Sequence, residues 1–146
     1  MNAREKGFTL IELAIVVMII GIIAVIAIPN LARVLAHSKE AAVKANCHTV
    51  QLAAEDFAVQ NGGAYAGDVD NDQTPSGRTI TQMLPGGGPL RNPFTNAATE
   101  PVNGAAANPG ETGYAPIVQN GVNVGYTING VGKTPGTLVC SFASGQ

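Results

Sequence analysis

Residues 8–28 read FTLIELAIVVMIIGIIAVIAI, an apolar run interrupted by one charge, Glu12. As a helix these residues extend about 31 Å, the thickness of a bilayer hydrocarbon core. A chain of 146 residues cannot cover such a helix on all sides, which argues against a core helix of a soluble protein. A secretory signal peptide is also disfavoured. Its apolar core is shorter and a small-x-small site follows it, whereas Ala24 and Ala27 stand in A-x-x-A spacing with no A-x-A after them. The stretch therefore predicts a membrane-spanning helix over residues 8–29.

Away from this run the chain changes character. Beyond Asn61 it is rich in Gly, Pro, Asn and Thr, as expected of a polar, loop-rich domain joined to the span without a long linker. The formal net charge is −2. That balance gives no general attraction for nucleic acid. Arg4 and Lys6 precede the span while Arg33, Lys39 and Lys44 follow it. Counting positive charges alone would leave the C-terminal part inside. Two cysteines, Cys47 and Cys140, argue instead for an exported domain.

Glu12 is costly in a membrane unless paired, and such residues are usually functional. The other reading is a side chain that snorkels to the headgroups. Its surroundings read Arg4, Lys6, Gly7, Phe8 and then Glu12, four residues after the Phe. This pattern resembles the N-terminal signal of type IV prepilins. The resemblance covers about residues 4–30. It implies a leader at residues 1–7, cleavage between Gly7 and Phe8 by a prepilin peptidase in the membrane, methylation of the new N-terminus, and polymerisation into a helical filament by an assembly platform and ATPase. It implies an inner-membrane precursor and then a periplasmic or cell-surface filament, a homo-oligomer. The cut would place an ammonium at Phe8 one helical turn from Glu12, able to pair within one chain or between neighbours, and the resemblance implies pairing across subunits. Pro29 removes a backbone donor and predicts a kink. In similar pilins the stretch between residues matching Gly21 and Pro29 loses helix inside the filament.

Residues 30–61 continue as helix. Val43, Cys47, Val50, Ala54 and Phe57 recur at steps of four, three, four and three, an apolar stripe that should face the head. Leu31, Leu35, Ala42, Ala45 and Leu52 lie mostly to another side and are candidates to face neighbouring helices. Asn61, Gly62 and Gly63 should end the helix. Residues 62–112 read as loop, with apolar patches at Ile80–Leu84 and Leu90–Phe94 packing on the helix. Residues 113–146 read as about three antiparallel strands. Asn120-Gly121 is expected as a two-residue hairpin turn, and Asn129-Gly130 as the opening of the next turn. The expected fold is α+β, a lollipop of the pilin kind with a long N-terminal helix packed on a small antiparallel sheet. NPFTN at 92–96 and GYTINGVGK at 125–133 resemble heads of major pseudopilins, the subunits of type II secretion filaments.

Cys47 lies on the core stripe and Cys140 on the inward face of the last expected strand. An even count in an exported domain favours a disulfide, the alternative being two buried thiols. The bond would close roughly 93 residues and contribute about 4–5 kcal/mol in the chain-entropy model. It departs from the many pilins that pair cysteines within the C-terminal region. His37 and His48 stand about 16 Å apart along the helix, too far for one metal. Asp68, Asp70, Asn71 and Asp72 crowd three carboxylates at alternate positions, a spacing calcium accepts, but Gln73 and Thr79 lack the Gly and Glu of an EF-hand loop. The other reading is a solvated acidic turn. No cofactor is otherwise indicated. No nucleophile–base, phosphate-loop or zinc spacing occurs, and Gly86-Gly87-Gly88 reads as a flexible turn, so an enzyme is not expected. Within the filament reading two branches stay open, a pilus pilin and a secretion pseudopilin, and the modest head and acidic loop lean slightly toward the pseudopilin; the alternative class is a non-polymerising single-pass protein with a calcium-binding head.

Overall fold

The computed structural model describes residues 7–144. Arg4 and Lys6 of the leader lie outside them. The chain divides into two compact units, residues 1–36 and 37–146, and helix α1, Leu10–Gln60, contributes to both.

In the first unit α1 is apolar and exposed on every side. Leu10, Val25 and Ile26 are each more than two-thirds exposed, and no residue of the helix's most apolar, span-length stretch is buried. A surface of this kind is stable only when lipid or other chains cover it. The helix assignment continues through Gly21 and Pro29.

In the second unit the expected stripe is the core. Val43, Cys47, Val50, Ala54 and Phe57 are buried, while Ala42, Ala45 and Leu52 on the other side are exposed. The helix ends where Gly62 and Gly63 turn left-handed, with Gly63 N donating to Ala58 O at 2.8 Å. That bond satisfies a carbonyl of the last turn.

Against the stripe lies a four-stranded sheet in the order β3 (Val102–Asn103), β4 (Thr112–Gln119), β5 (Val122–Val131), β6 (Leu138–Ala143). Tyr114 pairs with Ile128, which pairs in turn with Phe142, so one row of the inner face crosses three strands. Tyr114, Tyr126 and Ile128 are fully buried there. Asn120 and Gly121, at φ 50° and 78°, make the expected two-residue turn of the β4–β5 hairpin.

The sheet differs from expectation in three ways. It has a fourth strand, β3, which runs parallel to β4. Strands β1 (Leu90–Arg91) and β2 (Ala98–Glu100) form a separate pair, and Ile80–Met83 is a short helix, α2, so residues 62–112 are less loop-like than their composition. Helix α2 starts because Thr79 and Gln82 form a reciprocal capping box. Third, Asn129-Gly130 is not a turn: both residues sit inside β5, and the reversal comes at residues 132–137. Ile80 and Leu84 are buried in the core and Leu90 and Phe94 pack against it, as expected of both patches.

Candidate functional site: the helix start and the stapled head

The expected processing residues Gly7 and Phe8 are exposed and lie just before the helix. Glu12 is held by Thr9. Its Oε2 accepts from Thr9 N at 2.9 Å and Thr9 Oγ1 at 2.7 Å, while Thr9 Oγ1 accepts from Glu12 N at 3.3 Å. This is a capping box, and it satisfies donors of the first helical turn that no backbone carbonyl can reach. Thr9 was not singled out from the sequence, although T-x-x-E at 9–12 carries the signature. Glu12 is thus a cap on the helix and a carboxylate within about one turn of Phe8.

Cys47 and Cys140 are joined, fixing the last strand to the helix across 93 residues of chain. Gly130 lies opposite Cys140 in the β5–β6 ladder. A Cβ there would meet Cys140 Sγ at 2.5 Å, Cys47 Sγ at 2.6 Å and Val43 Cγ1 at 2.7 Å. The glycine leaves the space the disulfide occupies. Asn129 beside it turns the other way and grips Ala106, accepting from its N at 3.1 Å and donating to its O at 3.3 Å.

The acidic loop does not gather its carboxylates. Asp68 Oδ1 accepts from the amides of Asp70 and Asn71. Asp72 Oδ2 accepts from the amides of Gly67 and Asp68, and Asp70 Oδ1 from Thr81 Oγ1 at 2.6 Å. Each carboxylate serves the loop's own donors. Donors from Asn71, and then the Asp70 amide, hold the Asp68 carboxyl below its ordinary value. Among the described residues no three His, Cys, Asp or Glu side chains converge as metal ligands, so Asp68, Asp70 and Asp72 are not brought together.

Two other acids, not singled out from the sequence, organise the head. Glu100 is fully buried without a cation. It accepts from Thr112 N at 2.6 Å and from Asn92 Nδ2 and Thr99 Oγ1 at 3.2 Å, which ties β2 to β4. Burial pushes its pKa above the ordinary carboxylate value, and the three donors offset this only in part. Glu55 on α1 accepts from Tyr126 OH at 2.6 Å and Tyr65 OH at 3.1 Å. No single-sequence pattern marks either role, since Glu55 depends on Tyr126, 71 residues away, and Glu100 on Thr112 of another strand.

An N-terminal segment that is apolar all round, capped at Thr9–Glu12 and followed by a disulfide-stapled α+β head defines the class of pilin-like subunits. The prokaryotic N-terminal methylation motif model matches residues 2–28. Residues of this chain are 52% identical over 56 positions to the type IV major pilin protein PilA of Myxococcus xanthus, covering 38% of this chain and 26% of that protein. The type IV major fimbrial protein FimA of Dichelobacter nodosus is 47% identical over 55 residues, 38% of this chain and 35% of its own. The type IV narrow pilus major component PilA5 of Thermus thermophilus is 48% identical over 50 residues, 34% of this chain and 43% of its own. The matched region thus spans between about a quarter and two-fifths of these relatives. No solved structure matches. The N-terminal segment carries the methylation motif and is similar over this stretch to type IV pilins.

Proposed function

We propose that this chain is a structural subunit of a type IV pilus-like filament and not an enzyme. It is cut between Gly7 and Phe8 by a prepilin peptidase and methylated on Phe8. It then leaves the membrane to polymerise, driven by an assembly platform and ATPase. The observation that carries this reading is the N-terminal segment itself, with Gly7, Phe8 and Glu12 in the prepilin order at the head of an apolar helix whose span-length stretch has no buried residue among those described.

The physics supports each step. Before the cut, Glu12 is partnered by Thr9. After it, the Phe8 ammonium is a far stronger partner in low dielectric, and pairing between neighbours would set axial register. Stacked chains would cover the exposed apolar face. The helix at Gly21 and Pro29 is the weakest part of the span by propensity, and so the place where packing could unwind it.

The named relatives are pilus subunits, which favours a surface pilus over a short secretion filament. Surface filaments seen by electron microscopy and labelled for this chain would agree. A secretion defect without surface filaments would move it to the pseudopilins. The decisive test is mass spectrometry of the N-terminal peptide of protein recovered from cells. A peptide beginning at Phe8 with one added methyl group is expected. A peptide beginning at Met1, in cells with an active prepilin peptidase, would overturn the reading.

A further inference from the structure

The charges of the head are sorted by position and left unpaired. Residues 37–144 carry five Lys or Arg and eight Asp or Glu. Among the described residues the one charge pair within 4 Å is His37–Glu40 at 3.6 Å, so no Lys or Arg meets a carboxylate. Four of the five cations gather around the beginning of the head's helix. Lys39 and Lys44 are on it, and Lys39 Nζ lies 5.4 Å over the Phe94 ring. Lys133 is brought there by its amide, which donates to Glu40 Oε1 at 3.3 Å. Arg91 is brought there by its carbonyl, which accepts from Asn46 Nδ2 at 3.0 Å. Glu40 is among them, and Glu111 lies at the same end, its carbonyl accepting from Val131 N at 3.0 Å and its carboxylate taken by Ala107 and Asn108. All four cations are exposed.

The other end carries the opposite sign. Glu55 and Asp56 are on the last turns of α1, and Tyr65 ties the start of the acidic loop to Glu55. Asp68, Asp70 and Asp72 follow, and the fifth cation, Arg78, is the one counter-charge. This end also holds an open cleft of about 310 Å³, lined by Phe57, Tyr65, Asp72 and Asn123 among others. A carboxylate beside aromatic walls suits an ammonium or guanidinium. The two ends lie about 15 residues apart on the helix, roughly 22 Å.

We propose that the basic face formed by Lys39, Lys44, Arg91 and Lys133 docks the acidic end of a second copy of this chain, so that heads join basic face to acidic end along the filament. The inference rests on the filament reading above. A contact between two different surfaces of one chain is heterologous, and where its rotation does not close into a ring it grows into an open helix. Opposite charge on the two surfaces selects this contact over basic-to-basic or acidic-to-acidic pairing, where like charges repel. It also makes growth sensitive to salt, because exposed pairs are screened within about 8–10 Å at ordinary ionic strength.

The test uses the full chain in cells that assemble it, with filaments sheared off and measured against total subunit. Three variants are compared: Lys39→Glu with Lys44→Glu, Asp56→Lys with Asp70→Lys, and all four together. Each pair alone should cut filament yield about tenfold at unchanged subunit level, and the four together should restore most of it. Sheared wild-type filaments should also dissociate faster as salt is raised, a readout that survives if a variant folds poorly. Unchanged yield in both pairs with salt-insensitive filaments would overturn the proposal. So would equal loss in the pairs and the fourfold variant, which would send the basic face to lipid headgroups or the assembly machinery. Failure of the filament reading is distinct: wild type would make no filaments and keep its uncut N-terminus.

Discussion

Replacing Gly130 by Ala probes the packing around the disulfide with a single methyl group. Gly130 is not among the glycines with positive φ, so backbone conformation does not require it. What requires it is space. The added Cβ would lie 2.5–2.7 Å from two sulfurs and a valine methyl, each roughly an ångström inside contact distance. The sulfurs are cross-linked to each other and to the helix and β6, so neither can swing aside. Overpacking usually costs about 1–3 kcal/mol, and the absence of a yielding neighbour puts this site at the upper end. For a folded unit of this size that is a fall in melting temperature of roughly 8–12 °C. Circular dichroism melts of the full chain in detergent measure it. The reasoning is tested by repeating Gly130→Ala in a Cys47→Ala, Cys140→Ala background. With both sulfurs gone only Val43 Cγ1 remains in the way, and the penalty should fall to about 1 kcal/mol. An equal penalty in the two backgrounds would refute the account, as would a penalty below about 0.5 kcal/mol with the disulfide intact.

The disulfide itself should contribute about 4–5 kcal/mol through the unfolded chain, read as a drop in urea midpoint for Cys47→Ala, Cys140→Ala; a midpoint within error of wild type would show the cross-link to be dispensable. Glu100 gives a pH signature. Its folded pKa is raised, so the folded head binds the proton more tightly than the unfolded chain, and stability associated with this group is full at low pH and lost as pH rises through the raised value. The stability difference between Glu100→Gln and wild type should therefore move in the variant's favour from about pH 4 to pH 7. A difference that is flat, or that moves the other way, would contradict this. Asp68, with its lowered pKa, slopes oppositely, which is why the difference and not the whole curve is diagnostic. Calcium removal with a chelator should leave the melting temperature unchanged, because the acidic loop's carboxylates already serve the loop's amides and Thr81; a calcium-dependent rise would restore the metal reading.

What could be read in one dimension was a matter of local pattern. The span at residues 8–28 depends only on composition over a fixed length. The stripe from Val43 to Phe57 depends only on helical period, and the Asn120-Gly121 turn on two residues that both accept positive φ. The capping boxes at Thr9–Glu12 and Thr79–Gln82 were equally local, each written as T-x-x-E or T-x-x-Q. Glu12 drew attention by its charge in an apolar run, and its neighbour Thr9 was passed over.

Tertiary structure decided the rest. Asn120-Gly121 and Asn129-Gly130 are the same dipeptide, yet one is a turn and the other lies mid-strand. Glycine answers two different needs, a left-handed backbone or a close approach, and the dipeptide does not say which. At Gly121 the need is a φ of 78°; at Gly130 it is room for the bond between Cys47 and Cys140. Asn129 is drawn from turn chemistry to the Ala106 backbone for a related reason, since residue 106 reaches it only after the chain has folded. Glu100 is the extreme case. By type it belongs on the surface, and it is buried because Thr112 of β4 and Asn92 of the loop after β1 converge on it, joined by Thr99 beside it in β2. Contacts that join residues distant in sequence leave no periodicity behind, so the span, the stripe and the first turn were written in the chain, while the fourth strand, the disulfide's niche and the buried acid existed only once it had folded.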